Sequence, residues 1–382
     1  MSTPIYLDHA ATSWPKPASV QRAVYECMCH AGGNPGHGSH ALSDAAAQIV
    51  FDCRCALAQA FGARPERVIF TGSTTHALNL AIHGALKKGD HVLCSDMEHN
   101  AVYRPLYALQ KRGEIEFDTI LSPAADPHVG AARIITDAAA KKKPNTRMLV
   151  CSHVSNIVSS VMPLSALGAF CKRHGMLFCV DAAQSAGHLP IHVKDMQIDM
   201  LCLPAHKGLY GLQGCGALIL GESVELTPLI EGGNGVLSLS GEMPELPPER
   251  YEAGTLPTPA IAGLLAGIGE VNARGISTIA AKDRHLYDRA RDMLARFEGV
   301  RVLAPHCRGS VLLFYHDRMP SDALGAELNR HGICVRAGFH CAALGHRTLG
   351  TPDAGAVRIS FGMDTCPSDL DALYGALKDI LL

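Results

Sequence analysis

From about residue 39 to about residue 220 the chain alternates short, nearly continuous apolar runs with longer amphipathic stretches, and no other feature narrows its fold as much. A strand buried on both faces has no solvent side for polar residues, so it reads as an unbroken apolar run. "RVIF" (67–70), "HVLCS" (91–95), "RMLVCS" (147–152), "MLFCVD" (176–181), "MLCLP" (200–204) and "GALIL" (216–220) read as such strands. Between them, "STTHALNLAIHGAL" (73–86), "NAVYRPLYALQKRG" (100–113) and "PLSALGAFCKRHG" (163–175) carry apolar residues at helical spacing. The last two close on Lys/Arg and then Gly, as helix ends prefer. Repetition of this kind builds a mostly parallel sheet covered by helices, an α/β architecture.

At 382 residues the chain exceeds what one hydrophobic core serves, so two domains are expected. Residues 232–259, "GGNGVLSLSGEMPELPPERYEAGTLPTP", are too long and Pro-rich for an ordinary connection and read as a functional or interface loop. Past this loop come two long helical patterns, the strands "VRVLA" and "GSVLLFYH", a helix, the stretch "ICVRAGFHCAA", the strand "AVRISF" and a terminal helix. The expected division is a large α/β domain over 16–258 and a smaller α+β domain from 1–15 and 259–382.

Hydrophobic residues make up 47% and charged residues 18%, without a long polar tract, which excludes a disordered chain. The 34 basic and 36 acidic residues are spread evenly, so no basic surface suits a nucleic acid. No apolar run approaches the ~20 residues that span a bilayer, and the start lacks a basic segment followed by an apolar one. A cytoplasmic protein is expected. Most of the 14 cysteines sit inside apolar periodic segments, as reduced, buried thiols do. No CxxC or HExxH occurs, so no metal site is expected.

In "LPAHKGLYGLQGCG", Lys207 directly follows an apolar strand, which puts its amine at the sheet's carboxyl edge, where open α/β sheets bind ligands. Desolvation there lowers an amine's pKa and lets it form an imine with an aldehyde, whereas an ordinary lysine would snorkel to solvent. Asp181 ends the strand "MLFCVD" and is followed by Gln184, at the same edge. A lysine imine with an aspartate facing a pyridine nitrogen is what pyridoxal phosphate requires. "TGSTTHALNL" offers a phosphate cradle or, taken alone, a plain Ser/Thr N-cap: a strand runs into Gly72, and Ser73, Thr74 and Thr75 open a helix with free N–H groups. His99 follows another strand and could stack on a flat ring while acting as acid or base, whereas an ordinary histidine at a helix start would be structural.

With Thr74-Thr75, His99, "SHVSN", "VDAAQ", "HKG", "RYEAGT" and "RAGFHCA" in this order, the chain resembles the class V aminotransferases, fold-type I pyridoxal phosphate enzymes. Within them it is similar to the cysteine desulfurase and selenocysteine lyase group, from "YLDHAAT" to "VRISFGMDT". The resemblance implies a large, mostly parallel, seven-stranded sheet with a smaller C-terminal α+β domain. It also implies that Lys207 holds the cofactor as an imine and Asp181 faces the ring nitrogen. Asn156 and Gln184 would contact the ring oxygen, and Thr74, Thr75 and His206 the phosphate. Thr255 of "RYEAGT" would reach the phosphate of a neighbouring protomer, implying a homodimer. Arg358 matches the arginine that binds the substrate carboxylate, with Arg336 a second pocket arginine. Ala205, Ser159 and Phe339 depart from the common pattern, where serine or glycine, glycine and histidine respectively are frequent.

Lysine and aspartate identify a cofactor but not a reaction, so Cys341 discriminates. It lies in a Gly-containing, turn-like stretch, unlike Cys94, Cys151, Cys179 and Cys202 in apolar strands. The resemblance implies that Lys207 moves the Cα proton of L-cysteine and that Cys341, as thiolate, takes the substrate sulfur as a persulfide and leaves alanine. His99 or Lys207 would return the proton, and an acceptor protein would receive the sulfur. The alternatives are a selenocysteine lyase acting on L-selenocysteine, an aminotransferase or β-lyase with Cys341 idle, and a pyridoxal-binding sulfur relay with little turnover.

Overall fold

A computed structural model describes residues 4–36, 38–351 and 353–382. In chain order the elements of the first part are β1 (Ile5–Tyr6), α1 (Ala18–His30), α2 (Ala41–Phe61), β2 (Val68–Thr71), α3 (Thr74–Ala85), β3 (Asp90–Ser95), α4 (Asn100–Lys111), β4 (Ile115–Ile120), α5 (Ala131–Lys141), β5 (Thr146–Ser152), α6 (Leu164–Arg173), β6 (Leu177–Asp181), β7 (Met200–Pro204) and β8 (Gly216–Leu220). After a long irregular stretch follow α7 (Thr258–Arg274), α8 (Ile276–Leu294), β9 (Val300–Leu303), β10 (Val311–His316), α9 (Ser321–Arg330), β11 (Ile333–Cys334), β12 (Arg336–Gly338), α10 (Ala343–Thr348), β13 (Ala356–Ser360) and α11 (Pro367–Leu381).

Seven strands form one sheet in the order β2-β8-β7-β6-β5-β3-β4, the α/β core expected from the sequence. All pairings are parallel except those of β8, which runs against both β2 and β7. The six apolar runs become β2, β3, β5, β6, β7 and β8. Their alternate residues feed two cores: Leu149, Phe178, Leu201 and Ile219 enter one face, Met148, Cys179, Met200 and Leu218 the other. Each such side chain contributes about 1.5–3 kcal/mol when fully buried.

The seventh strand, β4, was not among the runs read from the sequence. It is an edge strand paired only with β3, and its charged residues Glu116 and Asp118 break the apolar run. Helices α4 and α6 end as expected, with Gly113 (φ 70°) and Gly175 (φ 64°) in the left-handed region.

A four-stranded sheet, β12-β13-β10-β9, carries the remaining chain, with antiparallel pairings throughout. Its core gathers Leu286, Tyr287, Leu312, Phe314, Ile359 and Leu373. The chain start joins this part: β1 pairs with β11, Ile5 opposite Ile333, and Asp8 bridges to Ser360 beside β13. Helix α7 lies past residue 258, yet it buries Ile261, Leu264 and Ile268 in a core of the large sheet. Apolar packing therefore changes sides within α8, where Ile279 belongs to the large core and Leu286 to the small one.

Candidate active site

Parallel pairing keeps the carboxyl ends of the central strands level, with Ser152 opposite Asp181 and Asp181 opposite Cys202. Open α/β sheets bind ligands at this edge. The loop after β7 turns Lys207 back over it, and glycine is needed next: a Cβ at Gly208 would lie 2.3 Å from the Ala186 carbonyl oxygen. The result is a cavity of about 240 Å³ whose wall includes Thr74, Thr75, His99, Asn156, Asp181, Gln184, His206 and Lys207. Thr255 is not among its lining residues and is exposed on the long loop.

Burial pushes the Lys207 amine down to about 8 against the pull of Asp181, and Arg358 and Arg336 lower it further. Burial raises the Asp181 carboxyl, while the Ala183 N–H at 2.9 Å and the Lys207 charge oppose the rise. His99 falls to about 4 through burial and the Lys207 charge. Its Nδ1 accepts the Ala101 N–H at 3.0 Å and caps α4, so the neutral ring keeps its proton on Nε2. This narrows the acid–base role expected for His99, because one nitrogen is committed and the ring is uncharged at neutral pH.

Among the described residues, four polar atoms around the site are buried without a partner: Thr74 Oγ1, Asn156 Oδ1, His206 Nδ1 and Arg358 Nε. Burying a polar group without a hydrogen bond costs roughly 2–7 kcal/mol, and native proteins leave few such groups. Three of the four residues line the cavity, and the N-terminus of α3 opens beside them, with Ser73 Oγ accepting the His76 N–H at 3.1 Å. A hydroxyl and a helix N-terminus suit a phosphate, and a carboxylate across the cavity suits a protonated ring nitrogen. The residues therefore fit pyridoxal phosphate.

At the rim, Arg336 and Arg358 stand directly opposite each other on β12 and β13. Arg358 is buried and donates to the Asn156 carbonyl oxygen (3.0 Å) and to Asp8 Oδ1 (2.8 Å). Half-exposed Arg336 pairs with Asp8 Oδ2 at 3.0 Å. Cys341 is exposed on the turn that follows β12, with His340 and Cys341 both left-handed at φ 52° and 55°. Left-handed conformations are costly for residues other than glycine. Two bonds hold the turn: Asn100 N–H donates to the Cys341 carbonyl oxygen at 2.7 Å, and Asn156 Nδ2 donates to that of His340 at 2.8 Å. The backbone that carries the thiol is thereby tied to the helix capped by His99 and to a cavity residue. Neither arginine nor Cys341 lines the cavity itself.

The three departures from the family pattern have plain surroundings. Ala205 is fully buried. Ser159 adopts φ 49° and exchanges two 2.8 Å bonds with the Val311 backbone, spending its hydroxyl on the small sheet. Phe339 is exposed and meets His346 edge-on, ring centroids 5.3 Å apart.

Sequence reading missed three groups. Asp8 was quoted within "YLDHAAT" without a role. Glu98 is fully buried beneath the site, and burial lifts its carboxyl to about 8; Ser95 Oγ and the Ser152 N–H (2.8 Å) and Oγ (2.9 Å) donate to it. Its signal was a charged residue inside "SDMEHN", where a strand ends in the core. Third, the His206 carbonyl oxygen receives donors from Thr12 Oγ1 (3.1 Å), Ser13 N (3.0 Å) and Lys16 Nζ (3.0 Å), which fix the peptide carrying Lys207.

Two relatives, each called a probable cysteine desulfurase, come from Methanothermobacter thermautotrophicus and Pyrococcus abyssi. Each is 31% identical, over 98% and 99% of this chain respectively and 94% of its own length. The apo structure of a cysteine desulfurase from Thermococcus onnurineus superposes with a TM-score of 0.88 at 28% identity, covering 99% of this chain and 94% of that one. The cysteine desulfurase CsdA of Escherichia coli gives 0.86 at 26% identity, covering 99% and 96%. The family model for aminotransferase class-V matches residues 5–373, and the chain belongs to that family.

Proposed function

We propose that this protein is a pyridoxal phosphate-dependent cysteine desulfurase that takes sulfur from L-cysteine onto Cys341 as a persulfide and releases L-alanine. The observation that carries this reading is an exposed cysteine on a turn whose backbone is bonded to the His99 helix and to Asn156, a residue of the cavity that holds a depressed lysine and a buried aspartate.

Lys207 would hold the cofactor, Asp181 would meet its ring nitrogen, Thr74, Thr75 and His206 its phosphate, Asn156 and Gln184 its ring oxygen, and His99 its face. When bound, the group supplies an electron sink for the pair released at the substrate Cα. Arg358 orients the substrate through its carboxylate. An amine near 8 can give up and regain a proton at working pH, so Lys207 Nζ moves the Cα proton. Cys341 Sγ, as thiolate, attacks the substrate sulfur: an S–S bond forms and the Cβ–S bond breaks. The electron pair of the broken bond stays on carbon, where a proton replaces sulfur. One L-cysteine and one thiol thus give one L-alanine and one persulfide.

Thr255 lies outside the cavity of its own chain, which supports a homodimer in which it serves the partner's site. Exposed Leu237, Leu239 and Leu246 on the same long loop, with Phe51 nearby at the wall of a neighbouring cleft, supply apolar surface for such a contact. Fourteen free thiols suit a reducing cytoplasm, and among the described residues no helix is long and apolar enough to cross a membrane. A sulfur-acceptor protein would approach Cys341 from its open side.

The test is to supply L-cysteine to purified, cofactor-loaded protein and measure alanine. Alanine in proportion to the sulfur released supports the proposal. Pyruvate or a transamination product in its place overturns it. Faster release from L-selenocysteine that persists in Cys341→Ser would mark a lyase.

A further inference from the structure

Arg336 and Arg358 are cross-strand partners in the antiparallel β12–β13 pair. Like charges placed directly opposite each other destabilise a sheet, and Arg358 is buried, so their juxtaposition requires a counter-charge. Asp8 supplies it. One carboxylate oxygen accepts from Arg358 at 2.8 Å, and the other accepts from Arg336 Nε at 3.1 Å and from its terminal nitrogen at 3.0 Å. Asp8 reaches this position because β1 adds the chain start to β11 and Asp8 bridges to Ser360, two residues beyond Arg358. With Asp8 on one terminal nitrogen and the Asn156 carbonyl on the other, Arg358 Nε remains buried and without a partner. A donor desolvated and left unused in a charged cluster points to a missing acceptor.

We infer that Asp8 is a specificity-determining residue: by neutralising one of the two guanidinium groups it leaves the rim with one net positive charge, matched to an amino acid bearing one carboxylate. The inference rests on the reading of Arg358 as the carboxylate-binding group. A substrate with an uncharged thiol side chain meets a balanced site. An amino acid with a second carboxylate meets Asp8 and is repelled. Asp8 does not touch the reacting atoms; it sets the charge and the orientation of the two groups that do the binding.

The experiment titrates cofactor-loaded protein with L-alanine and L-aspartate, following the cofactor's absorbance, which reports binding without turnover. Shifts of the thermal midpoint of cofactor-free protein by the same two ligands give a second readout. Asp8→Asn is expected to raise the aspartate-to-alanine affinity ratio by at least about tenfold, since an unneutralised charge at hydrogen-bond range acts strongly near a protein surface. Arg336→Gln, at a half-exposed position, is expected to lower that ratio and weaken L-alanine binding. The double variant Asp8→Asn with Arg336→Gln restores one net positive charge and should return the wild-type ratio. A purely structural Asp8 would alter stability but leave the Asp8→Asn ratio at the wild-type value and the double variant's ratio at that of Arg336→Gln, and that result overturns the inference. Should Asp8→Asn not fold, the double variant compared with Arg336→Gln decides the matter: a higher ratio in the double variant supports the inference, and an equal ratio overturns it. Arg358→Gln separates the two levels. If it weakens both ligands while Asp8→Asn leaves the ratio fixed, only the selectivity claim fails; if L-alanine binds Arg358→Gln as it binds wild type, the carboxylate role of Arg358 fails and the selectivity claim falls with it.

Discussion

On the floor of the cavity, Thr74, Asn156 and His206 bury polar atoms that have no partner, whereas at the rim Arg336 is already ion-paired and the backbone of the Cys341 turn is already bonded. The floor is made from strand ends and helix N-termini of the large sheet, fixed by two cores on opposite faces. It carries the cost of open valences, and a bound cofactor repays it. The rim comes from β12, β13 and the returning chain start. Asp8 balances one of its two guanidinium charges, and its thiol sits on a turn with two consecutive left-handed residues. A floor of unfilled valences specifies which cofactor enters. A rim left with one net positive charge would suit a substrate bearing one carboxylate, and its thiol would take the sulfur.

Removing the amine at the floor should have the largest effect. Lys207→Ala is expected to lose the absorbance of a lysine-bound cofactor and to slow alanine formation by about 10³-fold or more, beyond what one proton-transfer group alone supplies. Near-wild-type alanine release in that variant would break the distinction between floor and rim.

The Lys207 amine also sets a pH dependence. Its folded-state pKa is lowered to about 8, and only the neutral amine attacks an aldehyde. Reattachment of pyridoxal phosphate to cofactor-free protein should accelerate about tenfold per pH unit below 8 and level off above it. Stopped-flow absorbance checks this, and acceleration continuing to pH 10 would show an amine in ordinary solvent.

Thr74→Val sharpens the comparison further. The Thr74 hydroxyl has no partner in the free protein, so its loss should leave the thermal midpoint of the cofactor-free form unchanged or slightly raised. Cofactor affinity should fall by about tenfold, the worth of one hydrogen bond. A drop in the stability of the cofactor-free form would mean that the hydroxyl already serves the fold.

A smaller effect concerns the joint between the two parts. His188, in the loop after β6, pairs with Asp283 of α8 at 2.7 Å. Burial alone would lower the His188 pKa, but the charge and hydrogen bond of Asp283 outweigh it and raise it above 6.5. A raised folded-state pKa contributes stability that is complete below the unfolded value and fades as pH rises through the folded one. Wild-type protein should therefore lose about 2–4 °C of thermal midpoint between about pH 6 and pH 9, and Asp283→Asn should lose less. Equal losses would remove the pair from the joint.

The large sheet was legible because its strands are buried on both faces and so carry no polar interruptions. Edge strand β4 was not, because half of its surface is wet and Glu116 and Asp118 occupy it. Lys207, Asp181, Thr74 and His99 stood out for a related reason: each sits at or just after the end of an apolar run, where the chain must leave the sheet, whereas Asn156 and His206 came only from the family resemblance. The rim was harder to read. Asp8 and Arg358 are 350 positions apart, and nothing local announces an ion pair that forms only when β1 joins β11. Glu98 was hidden because a buried carboxyl looks, in sequence, like any charged residue at a turn. The placement of α7 on the large sheet likewise depends on packing with α1 and α2, which spacing within α7 does not encode.

The central claim is that the rim thiol receives the sulfur. Mass spectrometry of cofactor-loaded protein after one turnover with L-cysteine, compared with Cys341→Ser, tests it most directly. One added sulfur is expected on the Cys341 peptide of wild type, and Cys341→Ser should keep the cofactor's absorbance yet release almost no alanine. Undiminished alanine from Cys341→Ser, or sulfur found on another cysteine, would contradict it.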